Sequence, residues 1–144
     1  MQLTSSAFAP KGSIPRKHTC QGENVSPELH IADVPPDTAS LALILEDPDA
    51  PGKTFHHWVV YDIAPEATTI AEGETPGTAG VNDFGKSDYG GPCPPSGTHR
   101  YYFKLYALDT RLDLPPGLGN NDLQIAMEGH ILAQTELMGH YAKS

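Results

Sequence analysis

Prolines and glycines interrupt this 144-residue sequence so often that few segments can form long regular elements. The chain has 14 of each, and both residues weaken helices and strand interiors. Turn signals fill the first 40 residues, where they allow only a short strand around Leu29–Ile31, and they return in a long irregular stretch over residues 64–98. Because 38% of the residues are hydrophobic, the chain is globular, and we predict a mainly β fold in one domain over residues 1–144.

Three segments between these turns predict the principal strands. Leu41–Leu45 is a continuous apolar run, which is typical of a strand covered on both faces. Phe55–Ile63 is aromatic and β-branched, which favours a second buried strand. Residues 99–107 alternate in character, so we expect His99 and Tyr101 on one face of a strand whose other face is partly wet.

The end of the chain carries a helical pattern. Asn121 is predicted to cap the helix, with Gln124 three residues later as in a capping box. Apolar residues between Leu123 and Leu137 recur at helical spacing, which predicts a helix of about four or five turns that ends near Gly139. The expected fold therefore combines β-sheet with a C-terminal α-helix.

The formal net charge of −9 disfavours partners that must be held by positive charge, such as nucleic acids or anionic membranes. The 9 lysines and arginines are scattered along the sequence without a visible patch. No signal peptide is recognisable at the start, and the longest apolar run is far shorter than the roughly 20 residues that cross a bilayer. We expect a cytoplasmic protein with no nucleic-acid partner and no membrane insertion.

The two cysteines, Cys20 and Cys93, lie in loops flanked by glycine and proline. Two cysteines make neither a disulfide framework nor a C-x-x-C site. A single disulfide between them stays open from the sequence, although a reducing cytosol disfavours it.

One motif match fails on its context. Residues 80–87 fit the phosphate-binding pattern G-x-x-x-x-G-K-[ST] letter for letter. That pattern binds phosphate only between a hydrophobic strand and a helix whose N-terminal amides face the ligand. Turn-forming residues flank it here on both sides, so we predict no nucleotide site.

Ionisable residues cluster at the ends of the three predicted strands, beside prolines or glycines that shape the loops. The clusters are Asp47-Pro48-Asp49-Ala50-Pro51, His56-His57-Trp58 and Gly97-Thr98-His99-Arg100-Tyr101. Two imidazoles and a carboxylate can ligate a metal, act as general acid and base, or donate N–H groups to an oxyanion. Taken singly, each residue is better explained as a turn cap or a satisfied core histidine. Together, three such clusters favour a binding or active site.

Adjacent histidines on a strand point to opposite faces, so only one of His56 and His57 can enter a given pocket. A metal site that joins one of them to His99 and to Asp47 or Asp49 stays open, but the spacing selects no metal. A hydrolase would also need a nucleophile, and the sequence has no G-x-S-x-G elbow. The isolated histidines are expected to pack in the core or to face solvent: His18, His30, His130 and His140.

The clusters resemble the phosphatidylethanolamine-binding protein family, also called Raf kinase inhibitor-like proteins, in its short bacterial and archaeal branch. The segments at 47–51, 56–58 and 97–101 come in the family's order, and so does Tyr-Gly-Gly-Pro-Cys-Pro-Pro-Ser-Gly at 89–97. Residues 18–27 are similar to the N-terminal loop of that branch. The resemblance extends over essentially the whole chain.

The resemblance implies a central antiparallel β-sheet packed with a second, smaller sheet, and a surface pocket for a small anion such as phosphate, phosphoethanolamine or a carboxylate. The second histidine of the pair, His57, corresponds to the family's pocket histidine, and His56 then lies on the opposite face. Imidazole N–H and phenol O–H groups would donate to the anion while Asp47 orients a ring. The residues carried over as ligand-binding are Asp47, Asp49, His57, Gly91, Pro92, His99 and Tyr101.

The function implied is that of a non-enzymatic binding protein, without cofactor or metal, that inhibits or modulates a protein kinase or serine protease and that pairs as a homodimer. The chain departs from the family at Glu46, where a smaller residue is usual, and it lacks the extended C-terminal segment of the animal members. Glu46 is expected to add negative charge beside the anion site. The rival hypothesis is a metal-dependent or acid–base hydrolase that uses His57, His99 and Asp47.

Overall fold

Two antiparallel sheets form the framework of the computed structural model, which describes residues 1–143. The elements are β1 (Gln2–Ser5), β2 (Leu29–Ala32), β3 (Ser40–Asp47), β4 (Phe55–Ile63), β5 (Thr69–Ile70), β6 (Thr78–Ala79), β7 (Thr98–Leu108), α1 (Asn120–Met127) and β8 (Ile131–Ala142), with a short 3-10 helix at Arg16–His18. The large sheet has the order β6-β4-β3-β7-β8, and the small sheet has the order β1-β2-β5. The mainly β fold with a central sheet, a smaller second sheet and a helix near the C-terminus is therefore confirmed.

Strand β3 is buried on both faces, as its apolar run predicted. Leu41, Leu43 and Leu45 are fully buried in the core between the two sheets. Ala42 and Ile44 pack in a second core that includes residues of α1. Since each buried leucine or isoleucine stabilises the fold by about 1.5–3 kcal/mol, β3 is a rigid base for the loop that follows it.

The predicted C-terminal helix is wrong in its extent. α1 ends at Met127, and residues 131–142 form the edge strand β8 along the whole length of β7. Pairing with this long neighbour overrides the helical spacing, and the buried positions Leu137, Gly139 and Tyr141 follow the two-residue period of a strand. A Cβ at residue 139 would lie 2.6–2.7 Å from side-chain atoms of two core residues, so this glycine serves strand packing and does not end a helix.

The predicted cap of this helix is also wrong. α1 begins at Asn120 and follows Gly119, so Asn121 lies inside the helix. Gln124 bonds through its Nε2 atom to the side chain of Asn120 at 3.3 Å and forms no capping box.

The irregular stretch 64–98 contains two very short strands, β5 and β6, which give it anchor points on the small and large sheets. Residues 80–87, which match the phosphate-binding pattern, lie in a region of loops and turns, and the next regular element after them is the strand β7 rather than a helix. Cys20 and Cys93 form a disulfide, contrary to the preference drawn from a reducing cytosol. Their segments already lie side by side, because the Cys20 N–H donates to the Pro92 carbonyl at 3.1 Å.

None of the helices within residues 1–143 is long and apolar enough to cross a membrane.

Candidate functional site

A β-bulge in β4 determines which of its side chains reach the site. Leu45 pairs with Trp58 and Glu46 pairs with His56, so His57 is an extra residue between two consecutive pairs. The His57 ring lies 5.5 Å from the ring of Tyr101 on the side facing the small sheet. Trp58 packs in the core on that same side, whereas strict alternation would have placed it with His56. The prediction that His56 and His57 lie on opposite faces of β4 is confirmed. Because of the bulge, Trp58 lies on the same face as His57.

A cavity of about 300 Å³ opens at this end of the large sheet. Three of the predicted residues come together in it: Asp47 from the end of β3, His57 from β4 and His99 from β7. The full lining is Asp47, Ala50, Pro51, Phe55, His57, Phe84, Cys93, Pro95 and His99. Three ionisable side chains are thus held by adjacent strands within a largely apolar wall.

Asp47 and His99 form a buried pair. The Asp47 Oδ2 atom lies 2.6 Å from the Nδ1 atom of His99, and the two residues are 3% and 8% exposed. The other carboxylate oxygen accepts the backbone N–H of Asp49 at 2.8 Å, which fixes Asp47 to the turn after β3. The carboxylate therefore orients the imidazole, as the sequence reasoning expected, and leaves the Nε2 atom of His99 for other contacts.

The ring of His57 is held by a hydrogen bond to a backbone carbonyl group. Its Nδ1 atom lies 2.8 Å from the carbonyl oxygen of Gly90, and since a carbonyl only accepts, Nδ1 must carry the proton. Burial lowers the pKa of His57, against the opposing effects of the Gly90 carbonyl and the Asp47 charge. The ring is therefore neutral near pH 7, with an unprotonated Nε2 atom.

Tyr101 supports the two histidines from the core. It is fully buried and is not one of the residues that line the cavity. Its ring stacks on His99 at 6.4 Å and meets His57 edge-on. Burial and the nearby Asp47 carboxylate raise its pKa, so the phenol keeps its proton. Its hydroxyl has no well-formed hydrogen bond within residues 1–143.

The remaining predicted site residues shape the walls. Asp49 binds Arg100 through two side-chain hydrogen bonds of 2.8 and 2.9 Å, and this guanidinium lowers the pKa of Asp49 to about 2. The Gly91 N–H donates to the Asn24 side chain at 2.8 Å, and a Cβ at Gly91 would collide with the carbonyl oxygen of His18. Asp49, Gly91 and Pro92 are not part of the cavity lining.

An aromatic wall is the part of the site that sequence reasoning missed. Phe55 and Phe84 lie 4.7 Å apart, and Phe84 meets the His57 ring edge-on at 5.4 Å. Phe84 is 46% exposed. Phe55 was visible as the residue before the histidine pair, but Phe84 lies in the irregular stretch, where no period places a side chain.

The opposite face of β4 carries a separate polar network. The Asp83 carboxylate accepts the backbone N–H of His56 at 2.7 Å and lies 3.1 Å from its Nδ1 atom. Glu46 pairs with Lys104 at 3.3 Å and lies 4.0 Å from the His56 ring. The expectation that Glu46 adds negative charge to the anion site is wrong, because Glu46 lies on the His56 side and its charge is compensated there.

The structure provides no set of side chains for the hypothesis that this site binds a metal ion. Within residues 1–143, no three histidine, cysteine, aspartate or glutamate side chains are arranged so that they could hold a metal ion. The histidines treated as isolated have ordinary structural contacts, such as that between His18 Nδ1 and the Val25 carbonyl at 2.8 Å.

Comparisons with known proteins identify the family and the fold of the chain. A family model described as phosphatidylethanolamine-binding protein matches residues 4–142. A UPF0098 protein of Methanothermobacter thermautotrophicus is 49% identical to this chain, and the alignment covers 99% of each sequence. Another UPF0098 protein, from Chlamydia pneumoniae, is 48% identical over the full length of both chains.

Two solved structures share the fold. A phosphatidylethanolamine-binding protein homolog from Chlamydia trachomatis superposes with a TM-score of 0.96 at 45% identity, covering 99% of this chain and 97% of its own. E. coli YbcL, a member of the mammalian PEBP family, superposes with a TM-score of 0.91 at 30% identity, covering 99% and 98%. The likeness extends over the elements that carry Asp47, His57 and His99.

Proposed function

Since the chain belongs to the phosphatidylethanolamine-binding protein family, we propose that its cavity binds the anionic group of a small phosphorylated or carboxylated ligand. The observation that carries the proposal is the fixing of two imidazoles in one cavity through their Nδ1 atoms. Asp47 holds His99, and the Gly90 carbonyl holds His57. Each ring keeps its Nε2 atom for a ligand, and rings held in this way are preorganised for binding.

The surroundings of the pair suit an anion attached to an organic group. The Asp47 carboxylate orients the His99 ring, and the N–H group of an imidazole donates to an oxyanion. The apolar wall formed by Phe55, Phe84 and Pro51 strengthens such a bond by lowering the local dielectric constant. A cavity of about 300 Å³ also has room beyond a phosphate group.

The protein acts by binding and not by catalysis in this proposal. The residues of the cavity wall include no serine or threonine, and Cys93 is held in the disulfide. An activated nucleophile beside a base is what a covalent hydrolase requires. The cavity wall therefore offers the two imidazoles no side-chain nucleophile to activate, which favours binding over covalent catalysis.

The family membership supports a second part of the proposal, that the protein inhibits or modulates a kinase or serine protease through its surface near the cavity. Inhibition of a chymotrypsin-like protease, measured with and without phosphoethanolamine, tests this part. We expect the ligand to change the inhibition constant, and inhibition by neither form would contradict it.

Calorimetric titration with phosphoethanolamine at pH 6.5 tests the binding site itself. We expect saturable one-site binding, unchanged in His56→Ala and weaker by about 10- to 100-fold in His57→Ala, because a buried hydrogen bond to a charged ligand is lost. Equal losses in the two variants would contradict the assignment. Phosphoester hydrolysis that disappears in His99→Ala would favour the hydrolase instead.

A further inference from the structure

The disulfide between Cys20 and Cys93 connects the walls of two cavities. Cys93 lines the cavity of the candidate site. Cys20 lines a second cavity of about 270 Å³, and the side chain of Phe84 contributes to the walls of both. A chemical change at the two sulfur atoms therefore alters the wall of the candidate site directly.

The disulfide is accessible from solution. Both Cys20 and Cys93 are exposed residues. Thiol–disulfide exchange requires that a thiolate reach one of the two sulfur atoms, and exposed disulfides are reduced more readily than the buried disulfides of stable cores. A small thiol can therefore attack this bond while the rest of the protein stays folded.

Hydrogen bonds hold the first part of the same loop independently of the disulfide, because they join residues 89–92 to residues 18–24. They run from the Tyr89 hydroxyl to the His18 carbonyl, from the Gly91 N–H to the Asn24 side chain and from the Cys20 N–H to the Pro92 carbonyl, at 2.6, 2.8 and 3.1 Å. The carbonyl of Gly90 in this part holds the ring of His57. Reduction of the disulfide therefore leaves the anchor of His57 in place.

The second part of the loop has fewer ties. Within the part of the chain that the structure describes, residues 94–97 make no backbone hydrogen bond to another segment before β7 begins at Thr98. Pro95 lines the cavity beside Cys93, and Pro94 is buried. The disulfide is thus the covalent tie that fixes this part of the cavity wall.

We propose that the disulfide is a reversible switch, which fixes the cavity wall when it is oxidised and releases residues 93–97 when a small thiol such as glutathione reduces it. The thiolate of one glutathione attacks a cysteine sulfur, the S–S bond breaks, and the other cysteine leaves as a thiolate that takes up a proton. A second glutathione thiolate attacks the glutathione sulfur of the mixed disulfide. This step forms oxidised glutathione and releases the remaining cysteine, which is protonated in turn. Two thiols have then supplied two electrons and two protons, and oxidised glutathione reverses the sequence.

The consequence for ligand binding rests on the proposed function. A wall that is fixed before the ligand arrives loses little conformational freedom on binding, whereas a released wall must be ordered again. We expect the affinity for phosphoethanolamine to fall by about 3- to 10-fold when the disulfide is reduced.

Reduction of the native protein tests the chemistry. Incubation with mixtures of reduced and oxidised glutathione, followed by alkylation and mass spectrometry, measures the reduced fraction of Cys20 and Cys93. We expect this fraction to follow the glutathione ratio in both directions while the circular dichroism spectrum stays that of the folded protein. A disulfide that resists glutathione until urea unfolds the chain would overturn the proposal, and so would reduction that unfolds the protein.

Backbone ¹⁵N relaxation tests whether the wall is released. In the reduced protein the order parameters of Ser96 and Gly97 should fall from about 0.85 to below about 0.6, and those of Gly90 and Gly91 should not change. Asn24→Ala with the disulfide intact is the matched control. It removes the acceptor of the Gly91 N–H, so it should lower the order parameter of Gly91 and leave Ser96 and Gly97 rigid. Unchanged values at Ser96 and Gly97 on reduction would overturn the switch.

Calorimetry with phosphoethanolamine separates the switch from the function proposed for the cavity. The oxidised protein should bind more tightly than the reduced protein, and Cys20→Ser with Cys93→Ser should bind like the reduced form. Equal affinities of the oxidised and reduced forms would overturn control of the cavity by the disulfide. Binding by none of the forms would contradict the proposed function, whereas the glutathione and relaxation experiments would still decide whether the switch exists.

Discussion

His56 and His57 are neighbours in sequence and yet belong to two different sides of β4. His57 is buried, is held by a backbone carbonyl and lines an apolar cavity with Asp47 and His99. His56 is partly exposed, pairs with Asp83 and lines an open polar cleft. The same side chain is therefore a candidate ligand group on one face and part of a solvated charge network on the other.

The difference shows that the environment of each histidine is determined by its position relative to the bulge in β4 and not by its residue type. The extra residue in β4 directs His57 to the side of the small sheet and leaves His56 with Glu46 on the other side. Burial lowers the pKa of His57, whereas ion pairs that are exposed to solvent are screened by water. Variants on the two sides should differ accordingly.

The largest expected effect is on the His57 side, at the disulfide. Cys20→Ser with Cys93→Ser opens a link that spans 73 residues of sequence, which should lower the free energy of unfolding by about 2–5 kcal/mol. Because Cys93 lines the cavity, the NMR signals of the His57 ring should also shift, while those of His56 should not. Chemical denaturation and imidazole NMR measure the two effects. A stability within 0.5 kcal/mol of wild type, on the order of a neutral surface substitution, would contradict the prediction.

The adjacent carboxylates Asp47 and Glu46 give a sharper contrast. Asp47→Asn has one acceptor oxygen where the carboxylate uses two, so it cannot accept from both the His99 ring and the Asp49 N–H in the same geometry. Phosphoethanolamine affinity should fall at least tenfold, which is about 1.4 kcal/mol. Glu46→Gln is the control and should stay within about twofold, since Glu46 pairs with Lys104 on the other face. Equal effects of the two variants in calorimetry would remove the distinction between the faces.

The pH dependence of stability is expected to follow His57. Its folded-state pKa is lowered by burial below the 6.5 of the unfolded chain, so on acidification the unfolded state takes up a proton first. The contribution of His57 to stability is therefore fully present above pH 6.5 and is lost as pH falls below it. Urea unfolding between pH 7.5 and 5 should show a shallower decline in His57→Asn than in wild type. The prediction fails if His56→Asn flattens the curve instead.

The smallest effect is expected at the rim. Arg100→Gln removes the guanidinium that holds the pKa of Asp49 at about 2, so that pKa should rise towards its ordinary value of 3.8. Asp49 does not line the cavity, and phosphoethanolamine affinity should change less than threefold. Carboxyl NMR and calorimetry give the two values. A larger loss of affinity would place Asp49 in direct contact with the ligand.

The sequence predicted the parts of the molecule that depend on local pattern. β3, β4 and β7 were recognisable from composition and alternation, and the separation of His56 from His57 followed from strand geometry. The C-terminal strand was missed because its apolar spacing also fits a helix, and only the free edge of β7 decides between the two. Long-range pairing of this kind leaves no local signal.

The site was predictable in its polar residues and not in its walls. Asp47, His57 and His99 stand at strand ends in recognisable order, which predicts that they meet, and the structure brings them into one cavity. Phe84 and the Gly90 carbonyl come from the loop after β6, which the disulfide and the hydrogen bond between Gly91 and Asn24 link to residues distant in sequence. The bulge at His57 also has no signature in the residues around it.

In the proposed function, His57 and His99, and not His56, form one oxyanion site. Titration of the ¹⁵N-labelled imidazoles with phosphoethanolamine, in metal-free protein and against His99→Ala, tests it most directly. We predict saturable shifts of the Nε2 signals of His57 and His99, an unmoved His56, and loss of the His57 response in the variant. A saturable shift at His56, or no response from any imidazole, would contradict the account.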